Sequence, residues 1–230
     1  MKKTFSLIVL MIFILLTISC QKPEEVTLSK YFQAMKAKDR DTLASMAGEP
    51  VAIEFKDWKL VSTEAPVVED YQLPDMMKQM DQLKKDREKQ IGVIQDLRDD
   101  LDTLGSSLGE ARGRKKAEIQ KQIEEVKKAE AIETEKFKEM TSEQSKKKAA
   151  VDFEKKLAGL STSITQNQEI YTGKTQIIKS IVKITTASGD KDYATLLKKY
   201  ELLNPATNKT MPNRLVIVKF QPVEEFDKQQ

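Results

Sequence analysis

The residues that most often carry chemistry in proteins are scarce in this sequence. The 230 residues include no histidine and only one cysteine, Cys20. Histidine is the commonest general base and the commonest metal ligand, so the usual partner of a catalytic group or a metal is missing. A single cysteine also leaves no intramolecular disulfide. The sequence therefore predicts no catalytic residue, no metal and no cofactor, and Cys20 becomes the first candidate for a chemical role.

Cys20 ends a segment with the composition of an export signal. The chain begins MKKTFSLIVLMIFILLTISC, in which Lys2 and Lys3 precede a nearly unbroken apolar run over residues 5–16. This run is shorter than the roughly 20 residues that a membrane-spanning helix needs. A positive start and a short apolar core are typical of a signal peptide, which the sequence predicts over residues 1–19.

The same segment resembles the signal of a bacterial lipoprotein. Ile18 and Ser19 match the lipobox before the acylated cysteine, while Thr17 stands where Leu or Val is usual. The resemblance implies that acyl chains such as palmitate anchor Cys20 to a membrane of the bacterial cell envelope. No Asp follows the cysteine, which favours the periplasmic face of the outer membrane if the host has two membranes. The alternatives are an ordinary signal peptide and an uncleaved anchor.

The charges of the chain are nearly balanced. It carries 39 basic and 36 acidic residues, for a formal net charge of +3. This balance disfavours nucleic acid as a partner. Charged residues make up 33% of the chain and aromatic residues 6%, which favours exposed helix over a large packed core.

The strongest periodic pattern predicts a helical hairpin over residues 75–160. Apolar positions step alternately by four and three, as in a heptad repeat. The sequence GSSLGEARG interrupts them, and each glycine lowers helix stability by about 1 kcal/mol, so a turn is expected there. A single helix could not bury its narrow apolar stripe, but two arms can bury their stripes against each other. The alternative is one continuous helix that dimerises in parallel.

The two predicted seams have ten positions each. The first comprises Met76, Met80, Leu83, Arg87, Gln90, Ile94, Leu97, Leu101, Leu104 and Leu108. The second comprises Ile119, Ile123, Val126, Glu130, Glu133, Phe137, Met140, Gln144, Lys147 and Val151.

Four basic residues lie at the expected turn: Arg112, Arg114, Lys115 and Lys116. They suggest an interaction tip for an anionic surface, such as phospholipid headgroups, lipopolysaccharide or another protein. The plainer interpretation is a solvated turn.

The residues on either side of the hairpin predict a small domain of helices and antiparallel strands. Thr27 or Ser29 is expected to cap a first helix, and Asp39 a second. A strand is predicted over 51–62, with a bulge near residues 56 and 57, followed by a connector over 63–74. After the hairpin, strands are predicted over 174–186, 192–203 and 214–220, although 192–203 could also be helical.

These patterns give an α+β chain with an inserted antiparallel coiled-coil hairpin. The boundaries are a signal peptide over 1–19, a tether over 20–26, the first part of the domain over 27–74, and the hairpin over 75–160. The antiparallel sheet that completes the domain follows over 161–222, and a tail over 223–230.

The segments YFQAMKAKDRDTLASMA and RLVIVKF, with this order of elements, resemble the cystatin-like and nuclear transport factor 2-like folds. The chain also resembles uncharacterised bacterial lipoproteins in which a coiled coil splits such a domain. The fold resemblance implies a curved antiparallel sheet around a helix. Its enzyme members commonly use Asp–His pairs, which this chain lacks, and the fold does not fix a function.

The expected function is therefore a non-catalytic binding or scaffolding role at the envelope, with an envelope protein as partner and the hairpin as the interaction element. A second hypothesis is a periplasmic holdase, since Skp-type chaperones also carry helical arms on a small sheet body. A third is an enzyme or a ligand carrier that uses the interior of the sheet domain. The lack of histidine disfavours catalysis, whereas a cavity lined by Trp58, Tyr193 and Tyr200 would favour ligand carriage.

Overall fold

The computed structural model describes residues 22–226 and 228, which form two compact units. The first, the sheet unit, comprises the described residues up to Asp70, Leu157–Ile164 and those from Gly173 onward. The second, the hairpin unit, comprises Tyr71–Lys156 and Thr165–Thr172. A five-stranded antiparallel sheet and a long helical hairpin confirm the predicted α+β class.

Two helices begin the sheet unit, α1 over Pro23–Lys36 and α2 over Arg40–Met46. Asp39 caps α2 as predicted, accepting a hydrogen bond from the Thr42 amide at 3.0 Å. The Thr42 hydroxyl also donates to Asp39, and the two bonds hold the pKa of that carboxyl below its usual value.

The predicted cap of α1 at Thr27 or Ser29 is wrong. Pro23 occupies the first turn, where its fixed φ suits a helix and its missing N–H costs nothing, and two acidic residues follow it. The Thr27 hydroxyl instead donates to the Pro23 carbonyl within the helix, at 2.9 Å. Residues 23–26, predicted as part of the tether, are therefore helical, and α1 begins three positions after Cys20.

Five strands form the sheet: β1 Asp57–Thr63, β2 Val67–Asp70, β3 Thr172–Thr186, β4 Gly189–Leu203 and β5 Val216–Pro222. The hydrogen-bonded order is β1-β3-β4-β5, and β2 also pairs with β3. The strand interpretation of residues 192–203 is confirmed. β3 buries Ile178, Ser180, Val182 and Ile184 on one face by alternation, as predicted.

Three predictions for residues 51–74 fail. Residues 51–55 belong to no strand, although Val51, Ile53 and Phe55 pack against the core. The irregularity in β1 lies between Leu60 and Ser62, not at residues 56 and 57. The expected connector contains β2.

The core of the sheet unit lies between α1 and one face of the sheet. Leu28, Phe32 and Met35 of α1 are buried with Val182 of β3 and Ile217 of β5. Burial of one such side chain stabilises the fold by about 1.5–3 kcal/mol. The aromatic rings extend this core, because Trp58 stacks on Phe32 at 4.5 Å and Tyr193 stacks on Phe220 at 5.0 Å.

The Tyr31 hydroxyl holds the start of residues 51–55, the segment that belongs to no strand. It accepts a hydrogen bond from the Val51 amide at 2.9 Å and donates one to the Val51 carbonyl at 3.2 Å. Burial raises the pKa of Tyr31. The segment is therefore held against the core by a side chain in place of a sheet partner.

Arg214 joins the end of the long second hairpin helix to the rest of the sheet unit. Its Nε donates to the Leu160 carbonyl and its Nη2 to the Ser45 carbonyl, both at 2.9 Å. The last turn of that helix has no basic residue of its own. Arg214 supplies the positive charge that helix carboxyl ends favour.

The chain after β5 is not simply a tail. A short helix, α5, runs over Val223–Phe226 and buries Phe226. The Lys179 ammonium lies 4.9 Å from the centre of the Phe226 ring. The predicted tail over 223–230 is therefore folded in its first half.

Candidate functional site

The predicted lipidation site, Cys20, lies outside the described residues. The four basic residues of the predicted interaction tip lie within the hairpin unit.

The hairpin consists of α3 over Leu73–Glu110 and α4 over Arg114–Thr162. At 1.5 Å per residue, the 38 residues of α3 span about 57 Å. The hairpin begins two residues before the predicted start at 75 and ends two residues after the predicted end at 160. A short 3₁₀ helix, Gln168–Ile170, packs against α3.

The predicted coiled-coil seam is confirmed position by position. All twenty predicted seam residues are buried or half-buried, whereas most of their neighbours are exposed. The helices are antiparallel, because Gln79 near the start of α3 contacts Lys147 late in α4, while Arg98 contacts Glu130. The turn between them excludes one continuous helix.

The polar interruptions of the two seams meet each other. The Gln90 amide donates to the Glu133 carboxylate at 2.7 Å. Arg98, an exposed residue beside the first seam, pairs with Glu130 of the second seam at the same distance. Hydrogen bonds from Lys136 and then Gln90 lower the pKa of Glu133. Matched polar residues within a seam fix the register of the helices at some cost in stability.

Arg87 completes this polar layer. Its guanidinium donates to the Gln144 amide oxygen and lies 5.0 Å from the centre of the Phe137 ring. The polar layer is therefore defined by the seam residues Arg87, Gln90, Glu130, Glu133 and Gln144, with the exposed Arg98 beside them.

The tip is a three-residue turn, residues 111–113, that continues into the first turn of α4. Gly113 has a left-handed φ of +58°, which glycine adopts without strain. Arg112, Arg114, Lys115 and Lys116 are all exposed. In the part of the chain that the structure describes, none of these four side chains forms an ion pair or hydrogen bond.

The charges at the tip oppose the usual preference of a helix end. The first turn of α4 contains three basic residues and no acidic residue. A cation at a helix amino terminus is typically unfavourable by about 0.3–1 kcal/mol, because the backbone dipoles make that end positive. By contrast, α1 begins with two glutamates. Positions that break a local preference, with no nearby interaction to offset the cost, are often functional sites. The tip is therefore the strongest candidate site in the hairpin unit.

The glycines near the tip have different roles, and this difference gives a test. Gly109 lies inside α3 with open space around it, whereas Gly113 has a positive φ. Gly109→Ala should stabilise the hairpin by about 1 kcal/mol, and Gly113→Ala should destabilise it by about 1 kcal/mol. Urea unfolding measures both changes. Equal shifts in the same direction would contradict this account of the turn.

The other residues that the sequence singled out do not converge on a site. Asp99, Asp100 and Asp102 are exposed along α3, and no group of acidic or cysteine side chains suited to a metal occurs among the described residues. The proposed cavity of Trp58, Tyr193 and Tyr200 is not seen. Trp58 and Tyr193 are stacked in the core, and Tyr200 is fully buried.

A cleft beside α1 was not predicted from the sequence. Three basic residues in the sequence KAKDR lie at its rim, across from residues 52–55. The clustered charges were visible in the sequence, but the apolar surface below them depends on the fold.

Comparison with protein-family models, curated proteins and solved structures finds no match to this chain. Over the described residues, every helix is too short or too polar to cross a membrane.

Proposed function

We propose that this chain is a lipid-anchored protein of the bacterial cell envelope with a binding or scaffolding role and no catalytic activity. Acylated Cys20 attaches it to the membrane, and the tip of the hairpin contacts an anionic surface on an envelope partner. The sheet unit is proposed to be a cystatin-like or nuclear transport factor 2-like domain, which α1 on one face of the antiparallel sheet supports.

The observation that carries the proposal is the tip. Four exposed cations lie at or just before the amino-terminal end of α4, where the helix dipole favours anions, and none of them forms an ion pair with another described residue. The anchor is supported by the short apolar run and lipobox-like residues that end at Cys20. The absence of histidine supports a non-catalytic role.

The anchor is tested by substitution of the acylated residue. Cys20→Ala should abolish incorporation of labelled palmitate and release the protein into the soluble envelope fraction, because acyl chains supply the membrane affinity. Ser19→Ala keeps a small residue before the cysteine and should retain label and membrane attachment. A Cys20→Ala protein that stays wholly membrane-bound contradicts the anchor.

The tip is tested by crosslinking in native membranes through a photoreactive residue in place of Arg112. Combined Arg114→Gln, Lys115→Gln and Lys116→Gln should reduce the crosslinked product by about tenfold, as expected when several charge contacts worth about 1.4 kcal/mol in total are lost. These changes remove unfavourable charges from the start of α4, so they should not destabilise the helix.

The control for this experiment removes the same charge elsewhere on the hairpin. Lys84, Lys127 and Lys128 are exposed and lie outside the seam. Their replacement by Gln should leave the crosslinks unchanged. An equal loss in both triple variants would indicate a general charge effect and would reject a specific tip.

A second candidate function, a periplasmic holdase, is favoured by apolar side chains on the arms. Ile91, Val93 and Ile132 are 47%, 43% and 57% exposed. Such surfaces can hold unfolded chains. Under this hypothesis the protein suppresses aggregation of an unfolded outer-membrane protein, and replacement of the three residues by Ser weakens suppression, as light scattering would show. No suppression at stoichiometric excess removes the holdase candidate.

A further inference from the structure

A cleft opens in the sheet unit between the end of α1, the start of α2 and residues 52–55. Its volume is about 560 Å³. Small-molecule sites are commonly about 300–1,000 Å³. Its lining combines apolar side chains, which form the floor, with basic side chains, which form the rim.

The floor of the cleft is apolar and continuous with the core. Met35 and Leu43 are buried core residues, and Ile53 and Phe55 are half-buried against the same core. The Phe55 ring lies edge-on to Phe32, with 5.3 Å between the ring centres. An apolar ligand segment in the cleft would cover the accessible parts of Ile53 and Phe55 and remove them from water.

The rim of the cleft is mainly cationic. Lys36, Lys38 and Arg40 are exposed, and the Lys36 ammonium lies 5.2 Å from the centre of the Phe55 ring. Glu54 is the one carboxylate of the lining, and it lies 3.9 Å from the Lys38 ammonium. Both of these side chains are highly exposed, so their ion pair is weak. The nearby Asp39 carboxylate is occupied by Thr42.

The far wall of the cleft is a segment held at its two ends. Val51 is held by Tyr31, and the Lys56 amide donates to the Thr185 carbonyl at 2.8 Å. Between these two points, residues 52–55 form no backbone hydrogen bond within the described part of the chain. Three cations beside this wall can bind a carboxylate or phosphate group, while the floor accepts an alkyl chain.

We propose that this cleft binds an anionic single-chain amphiphile, either a fatty acid or a lysophospholipid. The acidic headgroup lies among Lys36, Lys38 and Arg40, and the first part of the alkyl chain covers Ile53 and Phe55. This inference rests on the sheet unit alone and does not depend on the anchor or on the tip.

The only tryptophan of the chain reports on the cleft. Trp58 stacks on Phe32, which contacts Phe55. A bromine atom on a bound alkyl chain would therefore quench Trp58 emission. The probe is 6-bromoundecanoate, which carries the bromine on the first part of the chain, added to the full chain below the concentration at which it forms micelles. The matched neutral probe is 6-bromoundecan-1-ol.

The expected result is saturable quenching by the carboxylate and about tenfold weaker quenching by the alcohol. Combined Lys36→Gln and Arg40→Gln should weaken carboxylate binding by about tenfold. Lys183→Gln with Lys191→Gln removes the same charge from exposed positions outside the cleft and should change nothing. Thermal unfolding of each variant shows whether its fold is retained.

Three results would overturn the proposal: quenching that rises linearly without saturation, equal quenching by the two probes, or equal weakening in both double variants. Displacement of the bound probe by oleate or by lysophosphatidylglycerol distinguishes the two natural classes of ligand. Displacement by neither would also reject the assignment.

Discussion

The antiparallel seam of the hairpin is the constraint on which the rest of the chain depends. β2 and β3 are hydrogen-bonded neighbours, with Asp70 opposite Lys174, yet α3 and α4 both lie between them in sequence. A flexible insertion of this length would add closure entropy to every contact between the two halves of the sheet. Because α3 and α4 pair along the seam, the end of α4 lies close to the start of α3. β2 and β3 can therefore pair as if a short loop joined them.

The seam also explains why the hairpin was predictable. Burial in a two-helix coiled coil follows a repeat of three and four residues, and no distant part of the chain changes which positions face the partner. Even the polar residues in the pattern were informative, since Gln90 of the first seam meets Glu133 of the second. Asp39 was likewise predictable, because a cap depends only on residues three positions away.

The failures lie where tertiary contacts decide the local structure. Residues 51–55 alternate like a strand because Val51, Ile53 and Phe55 pack on the core, but Tyr31 holds the segment in place of a sheet neighbour. β2 was missed because all four of its residues are exposed, so it has no alternating pattern. The start of α1 was misplaced because Pro23 was interpreted as part of a tether, although proline is favoured in a first helical turn.

The two candidate sites also differ in whether they could be predicted from the sequence. The charged tip follows from the sequence alone, since a turn and a run of basic residues are both local features. The cleft does not, because its rim and its far wall are separate segments that only the folded core brings together. The composition of KAKDR indicates a charged surface but not the apolar floor beside it.

The polar layer in the hairpin has a consequence for cooperativity. It separates an outer apolar block, which includes Leu101, Leu104 and Ile119, from an inner block that includes Met80 and Val151. In an elongated structure each layer contacts only its neighbours, so stability is transmitted from layer to layer. Polar contacts couple adjacent blocks less strongly than apolar packing does. We therefore expect the outer block, together with the basic tip, to open while the inner block remains paired.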